Sequence, residues 1–151
     1  MPAGESLRRR LSSALAEVAT VVEEDDGALT VSHEGTVASL RVVDIADDLE
    51  MVSLTQPLAW DLALTAKTRE RVSELASATL LGTVALVEKS VPTAVNGGSP
   101  ASSTRRSKVK KVGDVLLRYN FPGAGLTDEA LRTLILMVLS AGADVRRTLA
   151  G

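Results

Sequence analysis

The chain has 151 residues, a length that suits one domain of ordinary size with one buried core. Hydrophobic residues make up 45% and charged residues 24%, so the composition is that of a globular protein and not of a disordered one. The formal net charge of −2 disfavours nucleic acid as a partner, and the absence of cysteine excludes disulfides, thiolate zinc sites and a cysteine nucleophile.

The first predicted element is an amphipathic helix over residues 5–22, in which leucines and valines repeat at helical spacing. The acidic residues 23–26 follow, and Gly27 offers a stop for the helix. The stretch is amphipathic rather than continuously apolar, so it does not read as a signal peptide. No apolar run approaches the roughly 20 residues that span a bilayer. We therefore expect a cytoplasmic protein without a membrane span.

Three short strands are predicted next, near residues 29–34, 36–45 and 50–60, with a tight turn between the first two. In the third strand, alternation puts Trp60 on the same face as Leu54 and Leu58. The proline in that strand has no N–H to donate to a neighbour, so we expect the strand to be an edge, to be bulged or to end there.

A second helix is predicted over residues 66–79 with Thr65 as its N-cap, and a fourth strand over residues 80–89. That strand has apolar residues on both of its faces, which is typical of a central strand or of one buried in an interface. One face can meet the core helices, and an uncovered second face would be an association site. The residues expected at such a homodimer interface are Val72, Leu75, Leu81, Ala85 and Val87. Alternatively, the N-terminal helix covers the second face and the protein is a monomer.

Residues 90–111 break the pattern and predict a flexible basic loop. The first part is rich in Pro, Gly, Ser and Ala, and residues 105–111 carry five positive charges and no negative one. The candidates for contact with an anion or a partner are Arg105, Arg106, Lys108, Lys110 and Lys111. They could bind phosphates, headgroups or an acidic partner, dock on this protein's own acidic turns, or stay solvated.

A fifth strand near residues 112–121 leads into the best-specified helix of the chain. Thr127 is the predicted N-cap, acidic residues fill the first turn and Arg147 lies in the last, as the helix dipole favours. The element order is α-β-β-β-α-β-β-α over a single domain of residues 1–151. Strands joined by short turns with helices at both ends predict an α+β fold with an antiparallel sheet.

This order resembles the type III secretion chaperone-like fold. The segments 114–122, 127–131 and 144–147 carry a closer resemblance to YbjN-like proteins, in the actinobacterial branch of that bacterial family. The resemblance implies a non-catalytic homodimer that binds protein, and it implies no catalytic residue. The expected function is therefore a protein-binding module with chaperone-like or regulatory character, with an adaptor that binds an anionic surface through residues 105–111 as the alternative.

No group of residues indicates an enzyme, a metal site or a cofactor. His33 is the only histidine, and it lies on a strand next to a turn, where a structural role is favoured. The acidic residues 23–26 and 44–50 lack the ligand spacing of a calcium loop. Gly123 and Gly125 flank a turn and lack the Lys-Ser/Thr ending of a phosphate-binding loop. We expect no catalytic residue, no metal and no cofactor.

Overall fold

A computed structural model describes residues 3–92 and 109–150, which form three helices and six strands. The helices are α1 (Ala3–Ala16), α2 (Ala66–Ala78) and α3 (Asp128–Ala150). The strands are β1 (Thr20–Glu23), β2 (Leu29–His33), β3 (Thr36–Ala46), β4 (Leu49–Ala63), β5 (Thr83–Pro92) and β6 (Val109–Pro122).

The strands form one antiparallel sheet in the order β1-β2-β3-β4-β6-β5. This confirms the predicted α+β class with a single antiparallel sheet. The sheet has one strand more than predicted, because α1 ends at Ala16 and Thr20–Glu23 pairs with β2. The β-branched residues of Thr20–Glu23 favour a strand, and carboxylates at a helix C-terminus oppose the helix dipole. The predicted helix over residues 5–22 was therefore too long.

One face of the sheet carries the core. Leu54 of β4 and Leu117 of β6 are buried there beneath Leu11 of α1 and Ile135 of α3. Val72 of α2 belongs to the same cluster. Among the described residues, all strand residues of this cluster lie on the helix-facing side of the sheet, and none lies on the opposite side. The helices therefore pack on one face of the sheet.

Both predicted helix starts are confirmed. Thr65 accepts a hydrogen bond from the backbone N–H of Thr68 at 3.1 Å, and Thr127 accepts one from Ala130 at 3.0 Å. Each hydroxyl satisfies an N–H that the helix leaves without a partner.

The predicted fourth strand over residues 80–89 was placed too early, and of its two interpretations the central strand is wrong. Strand β5 begins at Thr83 and lies at the sheet edge beside β6. Gly82 has a φ of +84° and its backbone approaches Leu117 closely, so the chain turns there before it enters the sheet. Leu80 lies in this turn with 88% of its surface exposed.

A buried amide links the sheet to α3. Gln56 is fully buried, and its Nε2 donates to Thr36 Oγ1 at 2.9 Å and to the carbonyl of Leu139 at 3.2 Å. Its Oε1 has no hydrogen-bond partner within the described ranges. The amide fits because residue 142 is glycine: a Cβ there would overlap Oε1 and lie 2.5 Å from Cδ.

Candidate protein-interaction surface

The sheet face opposite the helices contributes no residue to the core cluster of the described residues. We call it the open face and define it by Val37, Thr55, Ala85, Leu116 and Arg118, which alternate with core residues along β3, β4, β5 and β6. Alternation of this kind, with one side apolar and buried, is typical of an antiparallel sheet that presents its other side outward.

A row of hydrogen-bonding side chains crosses the open face. Cross-strand pairing aligns Thr30, Ser39, Thr55, Arg118 and Thr83 on five neighbouring strands. The Arg118 guanidinium is exposed and has no hydrogen-bond or ion-pair partner in the described part of the chain. This row can therefore offer hydroxyl groups and one free positive charge to a partner.

An apolar row runs beside the polar one. Leu116 pairs with Ala85 on one side and with Pro57 on the other. Val37 extends the row on β3 with 49% of its surface exposed, and Val87 lies one step further along β5 with 39% exposed. Aliphatic surface left open in this way is typical of an association site.

A compact ion cluster lies next to Val87 at one end of the open face. The Lys89 ammonium contacts Asp61 Oδ1 at 2.7 Å and Asp114 Oδ1 at 3.0 Å, and the Asp61 backbone N–H also donates to Asp114 Oδ1 at 3.0 Å. That N–H, and secondly Lys89, hold the pKa of Asp114 below its usual value. Asp61, and secondly Asp114, raise the pKa of Lys89. Both contacts of Asp114 use its Oδ1, and none of the described contacts uses its Oδ2.

Alternation predicted Trp60 on the same face as Leu54 and Leu58, and this prediction was wrong. The pairing register of β4 with β6 shifts between Pro57 and Ala59 and again before Leu62, and Asp61 has a φ of +55°. Of the three alternatives expected at Pro57, an edge, a bulge or the end of the strand, the structure shows a bulge, and it turns Trp60 outward, with 61% of its surface exposed. Alternation does not reliably give the direction of side chains beyond a proline in a strand. Pro57 was therefore the sequence signal that the face of Trp60 could not be inferred in this way.

The exposed indole borders a shallow cleft of about 230 Å³ that opens beside the open face. Val37 and Pro57 line it from the open face, and Arg146 closes it by donating to the carbonyl of Gly35. Tryptophan is one of the residues in which binding hot spots are enriched.

The five residues predicted for dimer contact do not form one surface. Ala85 and Val87 lie on the open face, as the alternation predicted. Val72 is only 5% exposed and belongs to the core, so it is not available to a partner. Leu75 and Leu81 are partly buried against the same core. Periodicity found the apolar side of α2 but could not tell whether the sheet or a partner covers it.

Most of the predicted basic loop falls outside the residues that the structure describes. Arg105, Arg106 and Lys108 fall outside the described residues. Lys110 and Lys111 are exposed at the start of β6, where they pair with Val91 and Ser90.

Two of the titratable residues named in the sequence analysis, His33 and Asp26, take part in surface contacts. His33 Nε2 lies 3.9 Å from Glu34 Oε1. Asp26 accepts from the N–H of Ala28 at 3.1 Å and from Arg41 at 2.5 Å, and these contacts, Ala28 first, lower its pKa. Over residues 3–92 and 109–150, no group of three or more acidic or histidine side chains could hold a metal ion.

No protein-family model matches this chain, and a search of curated proteins finds no similar sequence. In the described ranges, no helix combines the length and apolar character needed to cross a membrane.

Proposed function

We propose that this protein is a non-catalytic, homodimeric protein-binding module with chaperone-like or regulatory character. The observation that carries the proposal is the open face, a sheet surface on which none of the described helices packs and whose exposed aliphatic residues adjoin an exposed tryptophan. Apolar surface rimmed by polar residues favours contact with another protein.

The surface combines the types of side chain that a reversible protein interface uses. Trp60 provides a large side chain at one margin, and Leu116, Ala85 and Val87 provide an aliphatic centre. A row of hydroxyl groups borders that centre on one side. An apolar core with a polar rim is the usual anatomy of such an interface.

Membership of the YbjN-like family and of the type III secretion chaperone-like fold remains part of this proposal. Helices packed on one antiparallel sheet support it. Strand β1 adds one edge strand to the order that the resemblance implies.

The experiment combines sedimentation with capture of partners. The wild type should sediment at twice 15.8 kDa at micromolar concentration, and Val87→Asp should yield a folded monomer. Val18→Asp, at an exposed position in the turn before β1, is the matched control and should stay dimeric. A monomeric wild type would refute the dimer.

Partner binding is tested separately by capture from native lysate at equal loading. Trp60→Ala should reduce the captured proteins, whereas Leu80→Ala, which also truncates a highly exposed apolar side chain, should not. Equal capture by all three proteins would contradict a role for the Trp60 cleft.

The alternative adaptor function has one described feature in its favour, the exposed ammonium groups of Lys110 and Lys111. Binding of an oligonucleotide or of anionic vesicles that falls steeply with salt concentration, and is unaffected by Val87→Asp, would favour this alternative.

A further inference from the structure

We infer that the second copy of this chain docks on the open face around Leu116, and that Arg118 of each copy pairs with the partner's Asp114. The inference rests on the proposed homodimer and adds its geometry: a two-fold axis that runs along the apolar row, across the strands. The argument uses three residues of β6 that share the open face, Asp114, Leu116 and Arg118.

The spacing along β6 makes this surface self-complementary. Leu116 lies midway between Asp114 and Arg118, and each Cα is about 7 Å from it at the rise of a β-strand. A two-fold axis that crosses the strands at Leu116 reverses the direction of the facing strand. Arg118 of each copy then lies over the partner's Asp114, and Leu116 lies over the partner's Leu116.

The charges select this orientation over the other two-fold arrangement. An axis parallel to β6 would stack Arg118 on the partner's Arg118, and Asp114 on the partner's Asp114. Like charges facing each other across an interface cost several kcal/mol. With the axis across the strands, both contacts join opposite charges, and the same pair occurs twice, as an isologous dimer requires.

The side chains suit the gap between two packed sheets. Sheets pack about 10 Å apart, a distance that a long arginine and a short aspartate can span end to end. Arg118 has no partner within the described residues, and both Lys89 and the Asp61 N–H use Oδ1 of Asp114. The carboxylate can therefore accept from arginine through Oδ2 and keep its internal contacts.

The rest of the open face agrees with this axis. The apolar row of Ala85, Leu116 and Pro57 lies along the axis and meets the same row of the partner, which forms a continuous aliphatic centre. The hydroxyl row falls to one side, in the rim. Apolar centres and polar rims of this kind are usual in protein interfaces.

Charge complementation tests the inference. Arg118→Asp and Asp114→Arg proteins are prepared separately, and each should dimerise at least about a hundredfold more weakly than the wild type, because each homodimer would contain two like-charge contacts. An equimolar mixture should recover a dimer by analytical ultracentrifugation, since in the mixed dimer both contacts join opposite charges. Arg9→Asp, another exposed arginine without a recorded partner in the described part, is the charge-matched control and should dimerise like the wild type.

Each outcome decides the inference. Weak dimers of both single variants with recovery on mixing support it. A dimeric wild type whose affinity is unchanged by Arg118→Asp overturns it but leaves the proposed homodimer standing. A monomeric wild type overturns both, and binding of an acidic peptide that depends on Arg118 would then assign the open face to another partner. If Asp114→Arg fails to fold, the Arg118→Asp result alone decides, because Arg118 makes no described contact that folding needs.

Discussion

Gly142 in α3 should be intolerant of even one added methyl group, because the side chain of Gln56 fills the space beside it. A Cβ at position 142 would overlap Oε1 and lie 2.5 Å from Cδ and 2.8 Å from Nε2. In the Gly142→Ala variant, either α3 moves away from the sheet or the amide leaves its two acceptors, Thr36 and the Leu139 carbonyl.

The opposing effects can be weighed against each other. Losing two buried hydrogen bonds costs about 1 kcal/mol each, and crowding a packed core costs about 1–3 kcal/mol. Alanine in a helix interior recovers about 1 kcal/mol relative to glycine. The balance predicts that Gly142→Ala lowers the free energy of unfolding by about 2–4 kcal/mol. For a chain of this size, that corresponds to a fall in Tm of about 4–16 °C.

Urea unfolding followed by circular dichroism measures the effect, with Gly125→Ala as the matched control. A Cβ at Gly125 would have no neighbour within 4 Å, so that variant should be as stable as the wild type or slightly more stable. The decisive step is the double-mutant cycle. In a Gln56→Ala background the space is empty, and Gly142→Ala should then stabilise by up to about 1 kcal/mol. The coupling between the two sites is then about 3–5 kcal/mol.

The reasoning is refuted if Gly142→Ala is neutral or stabilising in the wild type. It is also refuted if the substitution costs the same with and without Gln56, since the cost would then come from the helix and not from the amide.

The remaining predictions use other parts of the molecule. Trp60 is the only tryptophan, so fluorescence reports on it alone; iodide should quench it readily in dilute protein, and a blue emission maximum without quenching would show that it is buried. Thr127→Ala should destabilise by about 1 kcal/mol in urea unfolding because the Ala130 N–H loses its acceptor, with the exposed Thr133→Ala as control. The pKa of Asp114 is lowered in the fold, so its ionised form stabilises the protein above pH 3.8. This contribution is lost as the pH falls through the lowered pKa, and Asp114→Asn should therefore flatten the dependence of Tm on pH below about 4. The composition of residues 92–107 predicts that trypsin cuts first at Arg105, Arg106 or Lys108, and the fragments should stay associated because β5 and β6 pair along their length; a first cut at Arg41 or Arg132 would contradict this.

The elements with local signals could be predicted from sequence. The N-caps at Thr65 and Thr127 are short-range features, because a hydroxyl and an N–H three residues later belong to the same turn. Alternation in β5 predicted Ala85 and Val87 on the face away from the core helices, and both lie on the open face, because a strand side chain has only two directions.

What failed depended on neighbours distant in sequence. Thr20–Glu23 forms a strand because β2 offers it an edge, and nothing within those residues reveals that edge. Trp60 faces outward because the register shifts between Pro57 and Ala59, and a shift of one residue exchanges the two faces of a strand. The Gln56–Gly142 contact joins residues far apart in the chain, and neither residue is unusual in its own segment.

The composition of the open face bears on what kind of association it can support. An obligate interface resembles a core cut in half and would carry large aliphatic residues on every strand. Here the apolar row is one residue wide along the strands, and Arg118 and threonine side chains fill the next row. Such a face can stay in water without a partner, so we expect the folded monomer to persist without the proposed dimer. If the chain dimerises as proposed, association depends on concentration and on the pairing of Arg118, and a second protein can then compete for the same surface.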